Sequence, residues 1–123
     1  MVLAIRFTIR DSANAYLTPI ATHFAGTASD PTRLDIPPMG LRLRLNSSYN
    51  CNGLATSEAN VICVALKKYG LILADNGSNW YVSGTPDPRW LDSAISVITN
   101  IPGSAFEAVN TGAKLCTVSD CSN

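Results

Sequence analysis

Histidine is the scarcest chemically useful residue in this chain of 123 residues, which contains only His23. A zinc or copper site built on several imidazoles is therefore excluded, and a histidine-based metal site would need carboxylates as its other ligands. The sequence also lacks the glycine-rich loops and Walker sequences that bind phosphate groups. We therefore expect neither a metal ion nor a cofactor.

An excess of charge of either sign is also missing. The chain has 9 basic and 9 acidic residues, so its overall charge predicts neither nucleic acid nor an anionic membrane surface as a partner. No apolar run approaches the roughly 20 residues that a transmembrane helix needs, and we expect no membrane span. A chain of this length, with 46% hydrophobic residues, is expected to form one domain over residues 1–123 with its own core.

Cysteine is present in an even number, and the four residues are Cys51, Cys63, Cys116 and Cys121. Their spacing matches no zinc ribbon or finger, and they can pair as disulfides in three ways. We favour disulfides over buried thiols. Pairing Cys116 with Cys121 closes a small C-terminal loop, and pairing Cys51 with Cys63 ties a loop to the helix that follows it.

Alternation of apolar and polar residues predicts the strands. The cleanest alternation runs over residues 40–45, where three leucines face the core while Arg42 and Arg44 face the solvent. Further strands are expected at 3–9, 14–17, 71–74, 80–83 and 105–109. The Asn-Gly pair between the strands at 71–74 and 80–83 accepts positive φ, so these two strands are predicted to form a β-hairpin.

Two helices are predicted from apolar residues at helical spacing and from capping residues. The first begins at Thr56 or Ser57 and ends at Gly70. Its apolar face is predicted to contain Val61, Ile62, Ala65, Leu66 and Tyr69. The second helix is expected between Asp87-Pro88 and Asn100. The fold class is therefore α+β, with a small, mainly antiparallel or barrel-like sheet and two helices packed on it.

Five segments carry a resemblance to other proteins: Pro37 to Leu45, Ala65 to Gly70, Ala74 to Tyr81, Pro88 to Trp90, and Gly103 to Glu107. They resemble the C-terminal part of an uncharacterised family of secreted microbial proteins. The resemblance covers about residues 5–110 and implies that the chain is a fragment or short relative of a longer secreted protein. Because the family has no named activity, it implies no catalytic residue.

An extracellular, secreted protein is the predicted localisation. The expected disulfides and the resemblance support it. Two N-glycosylation sequons, at Asn46 and Asn76, add to it if the source glycosylates its secreted proteins.

Our first hypothesis for function is a domain without catalysis that binds carbohydrate or another protein through residues 69–90. Flat aromatic faces pack on pyranose rings, and amides and guanidinium groups bind sugar hydroxyls. The candidate ligand-binding residues are Asn76, Asn79, Trp80, Tyr81, Arg89 and Trp90. Because Trp80 and Tyr81 alternate on a strand, one of them is expected to belong to the core.

A second hypothesis is a small hydrolase or lyase acting on glycans. Asp75 and Asp87 would supply the paired carboxylates, and His23, in the long loop at 20–38, would assist. Each of these residues also has a structural interpretation, because Asp75 suits a turn, Asp87 suits a helix cap and His23 suits a surface loop.

A third hypothesis is a structural, self-assembling module. An exposed edge strand such as Leu3 to Ile9 would pair with a missing N-terminal segment or with a neighbouring subunit. The arginines of two strands offer a further surface, and they are Arg6, Arg10, Arg42 and Arg44. If the two strands pair, these side chains form a patch that binds the carboxylates of an acidic polysaccharide or a partner protein. The alternative is a solvated face with local aspartate partners.

Overall fold

The fold is taken from a computed structural model that describes residues 5–25, 36–54, 56–84, 96 and 100–117. Within these residues the strands are β1 (Ile5–Ile9), β2 (Ala15–Thr18), β3 (Arg42–Leu45), β4 (Leu71–Asn76), β5 (Tyr81–Gly84), β6 (Phe106–Val109) and β7 (Lys114–Thr117). One helix, α1, spans Ser57–Lys68. Every predicted strand is confirmed to within a few residues, whereas β7 was not predicted.

The described strands form two sheets. The larger sheet has the strand order β5-β1-β4-β3-β6, and the smaller one pairs β2 with β7. The pair β1 and β4 is parallel, while the other paired strands are antiparallel. The prediction of a mainly antiparallel α+β fold is therefore confirmed. The barrel-like alternative is wrong, because the larger sheet is not closed: among the described strands it ends at β5 and β6.

The predicted hairpin between β4 and β5 is also wrong, because β1 lies between these two strands. Residues 77–80 therefore cross the end of β1 instead of joining neighbouring strands. The insertion places Ile5 and Phe7 of β1 inside the sheet, between β5 and β4, where they are 7% and 2% exposed. Turn chemistry alone does not reveal a third strand that comes from a distant part of the sequence.

Helix α1 has the predicted ends but presents a different face to the core. The hydroxyl oxygen of Thr56 accepts a hydrogen bond from the backbone nitrogen of Ala59 at 3.1 Å, which caps the helix. The buried residues of α1 are Ala59, Ile62, Cys63 and Leu66. Val61 and Tyr69, which were predicted on the apolar face, are exposed. The six consecutive apolar residues at 61–66 surround the helix, so their periodicity does not define which face packs.

The second predicted helix, at 88–100, lies outside the described residues except for Ser96 and Asn100. In the described part of the chain, α1 is the one α-helix with defined bounds, so the prediction of two helices is not confirmed. None of the described helices has both the length and the apolar character needed to cross a membrane.

The core lies on one face of the larger sheet, beneath α1, which packs on β3. Its most deeply buried large side chains are at most 2% exposed, and they are Phe7, Leu45, Leu66, Leu71, Leu73 and Ile101. A disulfide between Cys51 and Cys63 joins the turn before α1 to the helix itself, as predicted. Cys116 is also disulfide-bonded, and its predicted partner Cys121 lies outside the described residues.

Candidate functional site

The connection between β4 and β5 holds the described part of the predicted binding site, and it is bonded to the end of β1. The backbone nitrogen of Gly77 donates to the carbonyl of Ile9 at 2.9 Å, and that of Trp80 donates to the carbonyl of Thr8 at 3.1 Å. The hydroxyl of Thr8 donates to the carbonyl of Ser78 at 2.8 Å. The connection is therefore an integral part of the sheet end.

Asn76 uses its side-chain amide inside the protein. Its Oδ1 accepts a hydrogen bond from the hydroxyl of Ser12 at 2.6 Å, and its Nδ2 donates to the carbonyl of Ala25. Ser12 is fully buried, at 0% exposed. Both ends of the amide are occupied, so Asn76 joins β4 to the segments on either side of β2.

Asn79 and Asp75 are exposed but bond to backbone groups. The Oδ1 of Asn79 accepts from the backbone nitrogen of Arg10 at 2.8 Å. One carboxylate oxygen of Asp75 accepts from the backbone nitrogen of Asn76 at 2.8 Å. Asp75 lies within β4 and pairs with Thr8 of β1, so it is a strand residue and not the turn residue that the sequence suggested. Asp87, its proposed catalytic partner, lies outside the described residues.

Trp80 is packed against the core. Its ring centroid lies 5.4 Å from that of Phe7 and 5.3 Å from that of Phe106, and its Nε1 donates to the carbonyl of Ile101 at 3.0 Å. Its φ of 58° is left-handed, which costs a non-glycine residue roughly 1–2 kcal/mol, so these contacts must hold it in place. Tyr81 begins β5. The side chain of Tyr81, together with Arg89 and Trp90, lies outside the described part of the chain.

His23 lies at an open cleft of about 210 Å³ between the segment after β2 and strand β4. The cleft is lined by Ile20, Ala21, Thr22, His23, Met39, Gly40, Ile72, Leu73 and Ala74. The Nδ1 of His23 is 3.4 Å from the hydroxyl of Thr22. Among the described residues, no three His, Cys, Asp or Glu side chains come together in a group able to hold a metal ion. The cleft is therefore mainly an apolar depression with one imidazole at its side.

The predicted arginine patch is divided by β4, which lies between β1 and β3. Arg6 and Arg42 are both in register with Ile72 and so lie on the same face of the sheet. The Nε of Arg42 donates to a backbone carbonyl at the end of α1 at 2.6 Å. Arg44 forms a salt bridge with Glu107 at 2.9 Å. Arg42 and Arg44, two of the four arginines of the predicted patch, are thus already bound to other groups of the protein.

Strand β1 pairs with β5 on one side and β4 on the other, so it is not the edge strand that the assembly hypothesis assumed; among the described strands the ends are β5 and β6. Within the described residues, β6 pairs with β3 on one side only. It is four residues long and exposes Glu107. Short, charged edge strands resist pairing with other chains, so β6 is a poor surface for assembly.

Sequence reasoning missed a surface on α1. We call Ser57, Val61, Val64 and Lys68 the outer face of α1, because at about 100° per residue they fall within roughly 60° of one another. Val61 and Val64 are 68% and 56% exposed. The signal was present in the sequence, since the apolar run at 61–66 is longer than one buried face of a helix requires.

Charged and aromatic side chains lie at the two ends of this outer face. Glu58 lies in the first turn of α1. At the other end, the Nζ of Lys68 is 5.3 Å from the ring centroid of Tyr69, which is 48% exposed. Neither Glu58 nor Lys68 forms a salt bridge with another described residue.

Comparison of the chain with models of known protein families, with curated proteins and with solved structures found no match. The resemblance to a family of secreted microbial proteins therefore stays an expectation from the sequence, without support from these comparisons.

Proposed function

We propose that this chain is an extracellular protein-binding domain without catalysis, and that its contact surface is the outer face of α1. The observation that carries the proposal is the exposure of Val61 and Val64, at 68% and 56%. In a surface helix, the face away from the core is normally polar. Helix α1 instead has apolar side chains on both its inner and its outer face.

Valine is unfavourable at these two positions in an isolated domain for two reasons. Apolar surface left in water forgoes about 25 cal/mol for each Å² that a contact would bury. Branching at Cβ also lowers helix propensity relative to lysine or glutamate. A partner that covers Val61 and Val64 removes their apolar surface from water, and this gain offsets the lower helix propensity of valine. The two exposed valines therefore support an interface at this face.

A protein partner suits this face better than a carbohydrate does. Aliphatic side chains offer no flat surface for a sugar ring, whereas exposed apolar patches on soluble domains are typical of protein contacts. The ring of Trp80 is turned towards Phe7 and Phe106. The amides of Asn76 and Asn79 accept hydrogen bonds from protein groups. Because these three candidate residues are used within the protein, a carbohydrate site would have to rely on other candidates, such as Trp90.

The extracellular part of the proposal is supported by the disulfides. Cys51 is bonded to Cys63, and Cys116 is also disulfide-bonded. Such bonds persist mainly in oxidising compartments.

Site-specific photo-cross-linking tests the proposal. A photoreactive amino acid is placed at position 64, with position 108 as the control because Ala108 is exposed on β6. The labelled protein is then irradiated alone and with the extracellular fraction of its source. We expect discrete adducts from position 64 only. Excess unmodified protein should suppress them, whereas excess protein carrying Val61→Lys and Val64→Lys should not.

Two outcomes would count against the proposal. Adducts no stronger at position 64 than at position 108 would remove the outer face of α1 as a contact surface. Retention of the unmodified protein on a glycan array, lost in Trp90→Ala and kept in Val64→Lys, would favour carbohydrate binding instead.

A further inference from the structure

We infer that the partner of the outer face of α1 is a second copy of this chain, bound with the two helices antiparallel about a two-fold axis. The inference rests on the proposed function and names the partner. It is carried by the self-complementary distribution of apolar and charged side chains along α1.

The apolar centre of the face matches itself under two-fold rotation. Val61 and Val64 are one helical turn apart, near the middle of Ser57–Lys68. An axis that passes between them places Val61 of one copy against Val64 of the other, and the reverse. Each valine is then covered by an apolar side chain of similar size.

The charged ends select the antiparallel arrangement. Glu58 lies in the first turn of α1 and Lys68 in its last. Antiparallel pairing brings Glu58 of each copy near Lys68 of the other and sets opposite ends of the helix dipoles side by side. Parallel pairing would instead bring like charges together at both ends of the helix.

Both charged groups are suited to a contact between copies. The carboxylate of Glu58 accepts a hydrogen bond from the neighbouring hydroxyl of Ser57 at 3.3 Å, and Lys68 lies over the ring of Tyr69. In the described part of the chain neither is held in a salt bridge. Lys67 differs, because its Nζ donates to the carbonyl of Ser47 at 3.1 Å. The formal net charge of the chain is +0, so two copies do not repel each other at long range.

The expected dimer is weak. A helix of 12 residues is about 18 Å long, and one such helix pair buries less surface than a stable interface requires. We expect a dissociation constant on the order of 100 μM. Sedimentation equilibrium from about 10 μM to about 1 mM covers that range.

The first comparison uses substitutions on the outer face. Val64→Lys places a charge beside the axis in both copies and should weaken the dimer at least about tenfold. The matched control, Ala108→Lys on β6, should change the dissociation constant less than about twofold. Circular dichroism should show the same helix content for both variants, because lysine is a good helix former. A protein that remains monomeric at about 1 mM would overturn the inference.

A charge exchange tests the antiparallel arrangement itself. Glu58→Lys and Lys68→Glu should each weaken the dimer about threefold to tenfold, and the double variant should recover to within about twofold of the unmodified protein. A contact with an unrelated protein gives no such recovery. Self-association without this recovery would overturn the antiparallel model.

The two proposals fail in different ways. A monomeric protein whose position 64 cross-links to another protein overturns the second-copy inference and supports the proposed function. A monomeric protein without any specific cross-link from position 64 overturns both.

Discussion

The indole nitrogen of Trp80 donates a hydrogen bond to the carbonyl oxygen of Ile101 at 3.0 Å. This bond ties the connection between β4 and β5 to the segment that enters β6. With the ring contacts to Phe7 and Phe106, it makes Trp80 a bridge across the core face of the sheet. A side chain that the sequence offered for sugar binding therefore contributes to stability.

Replacing Trp80 should measure that contribution. Trp80→Phe keeps an aromatic ring but leaves the carbonyl of Ile101 without its donor, and should lower the free energy of unfolding by about 1–2 kcal/mol. Trp80→Ala also removes the ring contacts and should cost about 3 kcal/mol. Urea denaturation provides the measurement. Tyr69→Phe, at an exposed aromatic position, is the control and should cost less than about 0.5 kcal/mol. Equal costs for Trp80→Ala and the control would show that Trp80 does not support the core.

The bond between Asn76 and Ser12 allows a test of the other predicted ligand-binding residues. Asn76→Ala leaves the buried hydroxyl of Ser12 without its acceptor and should cost about 2 kcal/mol in free energy of unfolding. The double variant Asn76→Ala with Ser12→Ala should lose about 1 kcal/mol less than the two single variants lose together, because the two side chains share one hydrogen bond. Asn79→Ala is the control, since its single bond is exposed, and should cost less than about 1 kcal/mol. A larger loss for Asn79→Ala than for Asn76→Ala would contradict this assignment.

Glycine substitutions should separate backbone strain from steric overlap at the end of α1. Gly70 has a φ of 79°, and a Cβ added there would overlap the carbonyl oxygen of Leu43. Gly70→Ala should therefore lower the free energy of unfolding by more than about 3 kcal/mol. Gly112 has a φ of 77° but open space around it, so Gly112→Ala should cost about 1 kcal/mol.

Gly53→Ala completes this series, because a Cβ at Gly53 would meet nothing within 4 Å and its φ is not positive. Its expected effect is within about 0.5 kcal/mol of zero. Thermal unfolding ranks the three glycine variants by their loss of stability. If Gly70→Ala lowered the free energy of unfolding no more than Gly112→Ala does, Gly70 could not lie as close to Leu43 of β3 as the structure places it.

The predictions that the structure confirms rest on local signals. The alternation of three leucines with Arg42 and Arg44 defined β3, and Thr56 and Gly70 defined the ends of α1, because caps and strand faces depend on a few neighbouring residues. The pairing of Cys51 with Cys63 links residues only 12 apart.

The candidate site was less predictable, because the same residue types can bind a ligand or form the contacts that stabilise the fold. An asparagine amide that is typical of a sugar site also satisfies a buried hydroxyl, and Ser12 lies 64 residues from Asn76. Trp80 is a similar case, since its indole nitrogen donates a hydrogen bond to the carbonyl of Ile101, 21 residues away.

By itself, the sequence determined the positions of β1 to β6 to within a few residues, the ends of α1, and that the fold is mainly antiparallel α+β. Only the tertiary structure decided that β1 lies between β4 and β5 and that Val61 and Val64 point outwards. The physical reason is that every strand offers the same backbone hydrogen-bonding groups to any neighbour. Residues 61–66 of α1 are likewise apolar around the helix and define no inner face by themselves, so long-range packing made both choices.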